Sequence, residues 1–149
     1  MQLILDIVTV LCIGLMIGTE FSVSAFINPI LKQLDAPAQA LATRLFARKL
    51  GAVMPFWYML SFVLLIAEAV FRRHQSCVFL LYGSVAIWAA VIVLTLILLV
   101  PINSRIAQAN SHTFTSRESS EHHRWDMLHR WRVATLTISM ALLLIAIHS

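Results

Sequence analysis

Charge is the scarcest ingredient of this sequence. Only 12% of its 149 residues are Asp, Glu, Lys or Arg, about half of the roughly 25% that a soluble globular domain carries. Glycine and proline are also few, at four each, which excludes collagen-like and Pro/Gly-rich low-complexity chains. Two cysteines, Cys12 and Cys77, cannot build a disulfide framework, and they lack the C-x-x-C spacing of a redox or metal pair. They sit on or beside apolar runs, as buried inert thiols do. No Walker loop, dinucleotide fingerprint, serine-nucleophile elbow, His-Glu-x-x-His motif or Cys/His cluster occurs. Haem would need histidines on facing helices, and no apolar run carries a central one.

What the sequence has in quantity is apolar surface: 60% of residues are hydrophobic and the mean hydropathy is +0.84. Disorder needs the opposite balance. A span requires about 18 or more predominantly apolar residues, and four segments meet that test, approximately 3–31, 50–71, 77–100 and 133–149. They are continuously apolar, without the alternation of a strand barrel. The expectation is one all-α domain over residues 1–149: a four-helix transmembrane bundle with a cap built from 32–49 and 101–132. The first run ends in a small-x-small pattern at Ser22 and Ser24, but no Lys or Arg precedes Lys32, so it reads as a span and not as a signal peptide.

The formal net charge of +4 does not indicate nucleic acid, because the basic residues flank apolar runs. With four spans, Arg72 and Arg73 share a side with both termini. Lys32, Arg44, Arg48, Lys49, Arg105, Arg117, Arg124, Arg130 and Arg132 lie on the other. The positive-inside rule then puts both termini outside and the cap in the cytoplasm, in a plasma or inner membrane.

The connections carry helical signals of their own. Residues 38–50 place Leu41, Leu45, Arg48 and Lys49 at helical spacing, so they extend the second span backward, with Pro37 near the helix start. Pro55 then falls inside that helix. Thr115 and Glu118 form a capping box that starts the last helix near Ser116. Between them, 101–114 reads as a polar, mobile connection containing Asn103, Asn110, Ser111 and His112.

Three patterns bear chemistry. Trp125, Leu128, His129, Arg132, Thr135 or Leu136, and Ser139 recur at three- and four-residue steps, so they line one face of the fourth helix. Such a stripe either looks into the bundle or consists of interfacial anchors (Trp125, Trp131) and snorkelling topology charges. Glu20 lies deep in the first span, with Ser24 and Asn28 at four-residue steps and Pro29 after them. It is a proton-handling carboxylate or a structural partner for an arginine such as Arg132 or Arg44. Asp6 and Glu68 fall near the opposite interface, where water solvates them. Thr95, Leu99 and Asn103 share a face if the helix survives Pro101. His122 and His129 share a face too, as metal ligands or as solvated or capping histidines. No cofactor is expected.

Together these features resemble the anthrone-oxygenase-like integral membrane proteins, a family largely of unknown function. The resemblance rests on four spans in about 150 residues and on Phe26, Ile27, Asn28 and Pro29 in the distal first span. It rests further on Pro-x-Asn after the third span (Pro101, Asn103) and on Trp-x-x-Leu-His-x-x-Arg near the start of the fourth (Trp125, Leu128, His129, Arg132). What it implies is O₂-dependent oxidation of a membrane-partitioning phenolic or polycyclic substrate without a dedicated organic cofactor. Matched to that chemistry, His129 is the base, Arg132 and Asn103 stabilise oxyanions, and Trp125 stacks on the substrate, with Asn28 and Trp131 as further contacts. Glu20 has no counterpart in the family pattern and joins the catalytic group on chemical grounds. The partners expected are the lipid bilayer and a hydrophobic small molecule. Gly14 and Gly18 form a small-x-x-x-small pair that packs a helix within the bundle or across a homodimer. Two other readings differ in class: a non-catalytic membrane binding or assembly module, and a small proton-coupled exporter that uses Glu20.

Overall fold

The computed structural model describes residues 2–108 and 116–149. Four helices within them are long and apolar enough to cross a bilayer, and the described residues contain no strand. The first run comprises α1 (Gln2–Ser22), a π turn (Val23–Ile27) and α2 (Asn28–Leu31). The second is α3 (Ala36–Phe71), and the third comprises α4 (Val78–Leu94), a π turn (Thr95–Leu99) and α5 (Val100–Gln108). The last is α6 (Ser116–His148). Asn110, Ser111, His112 and the contact between Thr115 and Glu118 lie outside the described residues.

Helix α3 has 36 residues with Pro37 in its first turn, where a missing N–H leaves nothing unsatisfied. At 1.5 Å per residue it is about 54 Å long, well beyond a hydrocarbon core of about 30 Å. It runs unbroken past Pro55. The stretch read as a mobile connection is helical as far as Gln108, which corrects that expectation. The reason lies just upstream. The N–H of Val100, immediately before Pro101, bonds the carbonyl of Thr95 five residues back, and Asn28, immediately before Pro29, does the same to Val23. Proline lacks an N–H and collides with the carbonyl four residues back. Widening one turn to a π register lets the helix continue past it.

The contacts α1–α3, α3–α4, α4–α6 and α6–α1 close a ring around a core of Ile13, Met16, Leu65, Leu81, Trp88, Leu136 and Leu143. Small residues draw α4 and α6 together: the Ser84 and Ser139 hydroxyls lie 2.7 Å apart, and Ser84 Oγ donates to the Ser139 carbonyl at 2.9 Å. Gly14 faces Met140 of α6, so one half of the small-residue pair serves packing inside the bundle. Large apolar side chains cover the outside, up to 85% exposed at Phe56, as expected where lipid is the solvent.

Asp6 and Glu68 depart from expectation. Glu68 is fully buried, with Oε2 3.5 Å from Arg72 Nε, while Arg72 Nη2 reaches Asp6 Oδ1 at 2.8 Å. Position 68 shares the inward face of α3 with Tyr58, Ser61 and Leu65. The carboxylate is tolerated there because Arg72, one turn on, supplies the opposite charge.

Candidate functional site

The first π turn sets the site. It begins three residues after Glu20, whose side chain points inward and is buried together with His129 of α6. Arg132, one turn further along α6, donates from Nη2 to Glu20 Oε2 and lies 2.8 Å from His129 Nδ1 through the same nitrogen. His129 Nε2 is 3.0 Å from the Glu20 main-chain carbonyl. A carbonyl only accepts, so Nε2 carries the hydrogen and Nδ1 holds the lone pair of the neutral ring. That lone pair takes the Arg132 hydrogen bond. Once Nδ1 is protonated it faces Glu20 Oε2, 3.1 Å away. The side chain and main chain of one glutamate therefore clamp the imidazole at both nitrogens.

Trp125 stacks on this histidine, with ring centres 4.7 Å apart and planes 10° from parallel. His122 stacks on its other side at 6.3 Å. These are the three- and four-residue neighbours of one helical face. Among the described residues, no group of three His, Cys, Asp or Glu side chains is arranged to hold a metal ion.

Glu20, Trp125, His129 and Arg132 form one wall of a cavity of about 550 Å³. The opposite wall comes from α3 and the second π turn. Thr95, Leu99 and Asn103 all face the cavity, so that predicted face survives the proline. Asn103 Nδ2 donates to the Ala47 carbonyl at 3.0 Å, passing over Gly51. A Cβ at position 51 would lie 2.8 Å from that nitrogen, so glycine there permits the close crossing. Nearer the middle of the bundle the lining is apolar, including Met54, Met59, Ile92 and Leu96. Met59 and Leu96, which line it, are 51% and 59% exposed, so the cavity is open between the second and third spans. Arg48, Ser104 and Gln108 make its cap-side rim polar.

Five residues singled out in the sequence thus meet in one place: Glu20, Asn103, Trp125, His129 and Arg132. Two do not. Trp131 is 70% exposed on the outer face of α6, where an interfacial anchor belongs. Asn28 is buried away from the cavity and donates to Asp126 Oδ1 at 2.9 Å. Asp126 Oδ2 also holds Lys32 at 3.0 Å and Arg130 at 3.4 Å. This cluster fastens the Pro29 segment to α6 and so positions Glu20 against His129.

The sequence reading missed Asp126, and it missed Tyr58. Tyr58 is 6% exposed, lines the cavity and lies under Arg132, whose Cζ is 5.5 Å from the ring centre. Its signal was the spacing of Tyr58, Ser61, Leu65 and Glu68, which marks the buried face of α3.

A family model described as anthrone oxygenase matches residues 42–142. That interval contains Tyr58, Asn103, Trp125, His129 and Arg132, and leaves out Glu20 and Asn28. No curated protein and no solved structure matches the chain.

Proposed function

The chain belongs to the anthrone oxygenase family, and on that footing we propose that it uses O₂ to oxidise the acidic methylene of a polycyclic phenolic ketone to a carbonyl. The observation that carries this reading is the convergence of Glu20, His129, Arg132 and Trp125 on one wall of a cavity that opens toward lipid. An apolar polycycle partitions into the bilayer and enters past Met59 and Leu96. Trp125 offers a flat face for the rings.

His129 is the base. Its Nδ1 lone pair accepts the methylene proton, and Glu20 Oε2, 3.1 Å away, compensates the imidazolium that results. The same protonation ends the hydrogen bond from Arg132 to Nδ1 and turns the guanidinium toward the enolate oxygen. Asn103 contributes the free hydrogen of its amide on the facing wall. The enolate passes one electron to O₂, and the carbon radical and superoxide combine as a peroxide. The imidazolium returns its proton to give the hydroperoxide, and loss of the second methylene proton to His129 with O–O cleavage leaves the carbonyl and hydroxide. The hydroxide leaves as water with a proton, so CH₂ + O₂ becomes C=O + H₂O.

The pairing of Glu20 with Arg132 supports this reading over a proton-coupled exporter, whose carboxylate must cycle its proton freely. His129→Gln tests the proposal. The variant is expected to fold and elute as wild type while anthrone oxidation falls to the uncatalysed rate. Wild-type turnover in that variant removes His129 from the mechanism.

A further inference from the structure

The cavity lining is mostly apolar, but it is not electrically neutral. It contains two guanidiniums, Arg48 and Arg132, and one carboxylate, Glu20. Glu20 pairs with Arg132, which leaves one positive charge over, at the cap-side rim. Arg72, Arg105 and Arg130 also have carboxylate partners, whereas Arg48 pairs with no carboxylate among the described residues. Ser104 and Gln108, which share the rim with it, are uncharged and supply hydrogen-bonding groups. A charge that only sets topology has no need to line a cavity. Lys49, the next residue, is equally exposed and lies off the lining.

Helix α3 gives the cavity its long dimension. Tyr58, under Arg132, marks the deep end, and Arg48 marks the rim. Ten residues separate them, about 15 Å along the helix axis. A ligand that fills this length has its apolar part among Met54, Met59 and Leu96 and its other end beside Arg48. Charge at that end costs little, because the rim is exposed to water. Beside an apolar wall, a cation also attracts an anion more strongly than it does in bulk water. The cavity therefore suits an amphiphile whose acidic group sits at the cap-side end.

We propose that Arg48 is a specificity-determining residue: with Ser104 and Gln108, it binds a carboxylate carried at the cap-side end of the aromatic ligand. The substrate class then narrows to polycyclic phenolic ketones that bear an acidic substituent. That the bound acid is oxidised rests on the reading above; that it binds does not. A phospholipid phosphate offers the same guanidinium the same anionic oxygens, and the test separates the two sources.

Anthraquinone-2-carboxylate and anthraquinone-2-carboxamide differ in charge and little in shape. Each is titrated into the full chain in phosphatidylcholine nanodiscs, with binding read from quenching of tryptophan fluorescence and with protein-free nanodiscs as the partitioning control. Wild type is expected to bind the carboxylate about 5-fold more tightly than the carboxamide, the scale of a water-exposed ion pair. Arg48→Gln should bring the two probes to equal affinity with an unchanged melting temperature, and Arg48→Lys should keep most of the preference. High salt should weaken the preference in wild type. Equal affinities in wild type overturn the proposal, and so does a preference that survives in Arg48→Gln. Phosphatidylglycerol retained by wild type and lost by Arg48→Gln, with no preference between the probes, assigns Arg48 to a lipid headgroup and overturns it too. A preference that Arg48→Gln abolishes, without anthrone turnover by wild type, retains the acid subsite and removes the oxidation reading.

Discussion

Glu20 and Arg132 illustrate how much a single buried charge can control. Their side chains are 3% and 11% exposed, and each is tolerable only because of the other. Glu20→Gln leaves a buried guanidinium uncompensated, and Arg132→Met leaves a buried carboxylate. Each single change is expected to cost about 3–5 kcal/mol of stability. The double variant should recover most of that loss, because two uncharged side chains need no partner. Denaturant titration in detergent micelles around the four-variant cycle measures the coupling; additive losses would mean that the two charges act separately. Glu20 and the Trp125–His129–Arg132 stripe were legible in the sequence, because polar side chains stand out in apolar runs. Tyr58 was not. An aromatic between Trp57 and Met59 is ordinary in a span, and its importance depends on an arginine 74 positions away.

The helices themselves were legible from the hydropathy pattern, including the backward extension of α3 through Arg48 and Lys49. The turns beside the prolines were not. Pro29 and Pro101 announce an interruption, but proline alone does not decide between a helix end, a kink and a π turn. Here both interruptions are π turns, and both border the cavity through Val23 and through Thr95, Leu96 and Leu99. One extra residue in a turn rotates everything beyond it by about 100°, so the π turn sets where Asn103 points relative to Thr95. Pro101→Ala removes the reason for the second π turn. The variant is expected to melt at a higher temperature, since proline in a helix interior costs about 3 kcal/mol. Its anthrone oxidation should drop about 10-fold as Asn103 turns away from Ala47. A variant with wild-type activity and a raised melting temperature would show that the register of α5 does not matter to the site.

The whole molecule divides along its long axis. At one end Asp6, Glu68 and Arg72 close the bundle; at the other, helices projecting beyond the core enclose the cavity. Composition identified the membrane and the gathering of basic residues at the cap end, whereas the lateral opening depends on which side chains the folded helices leave between them. If the cap faces the cytoplasm, a protease added to intact cells should remove an epitope tag placed after Ser149, and should spare one inserted beside Arg48 until the cells are opened. The reverse pattern would invert the orientation. The central claim concerns chemistry in the cavity, and an oxygen electrode addresses it most directly. Wild-type protein in nanodiscs, supplied with an anthrone, should consume one O₂ for each quinone formed. Its rate should stand well above autoxidation and fall to that background in both Glu20→Gln and Arg132→Met. Oxygen uptake by wild type no faster than by these two variants would contradict the assignment of the cavity as a catalytic site.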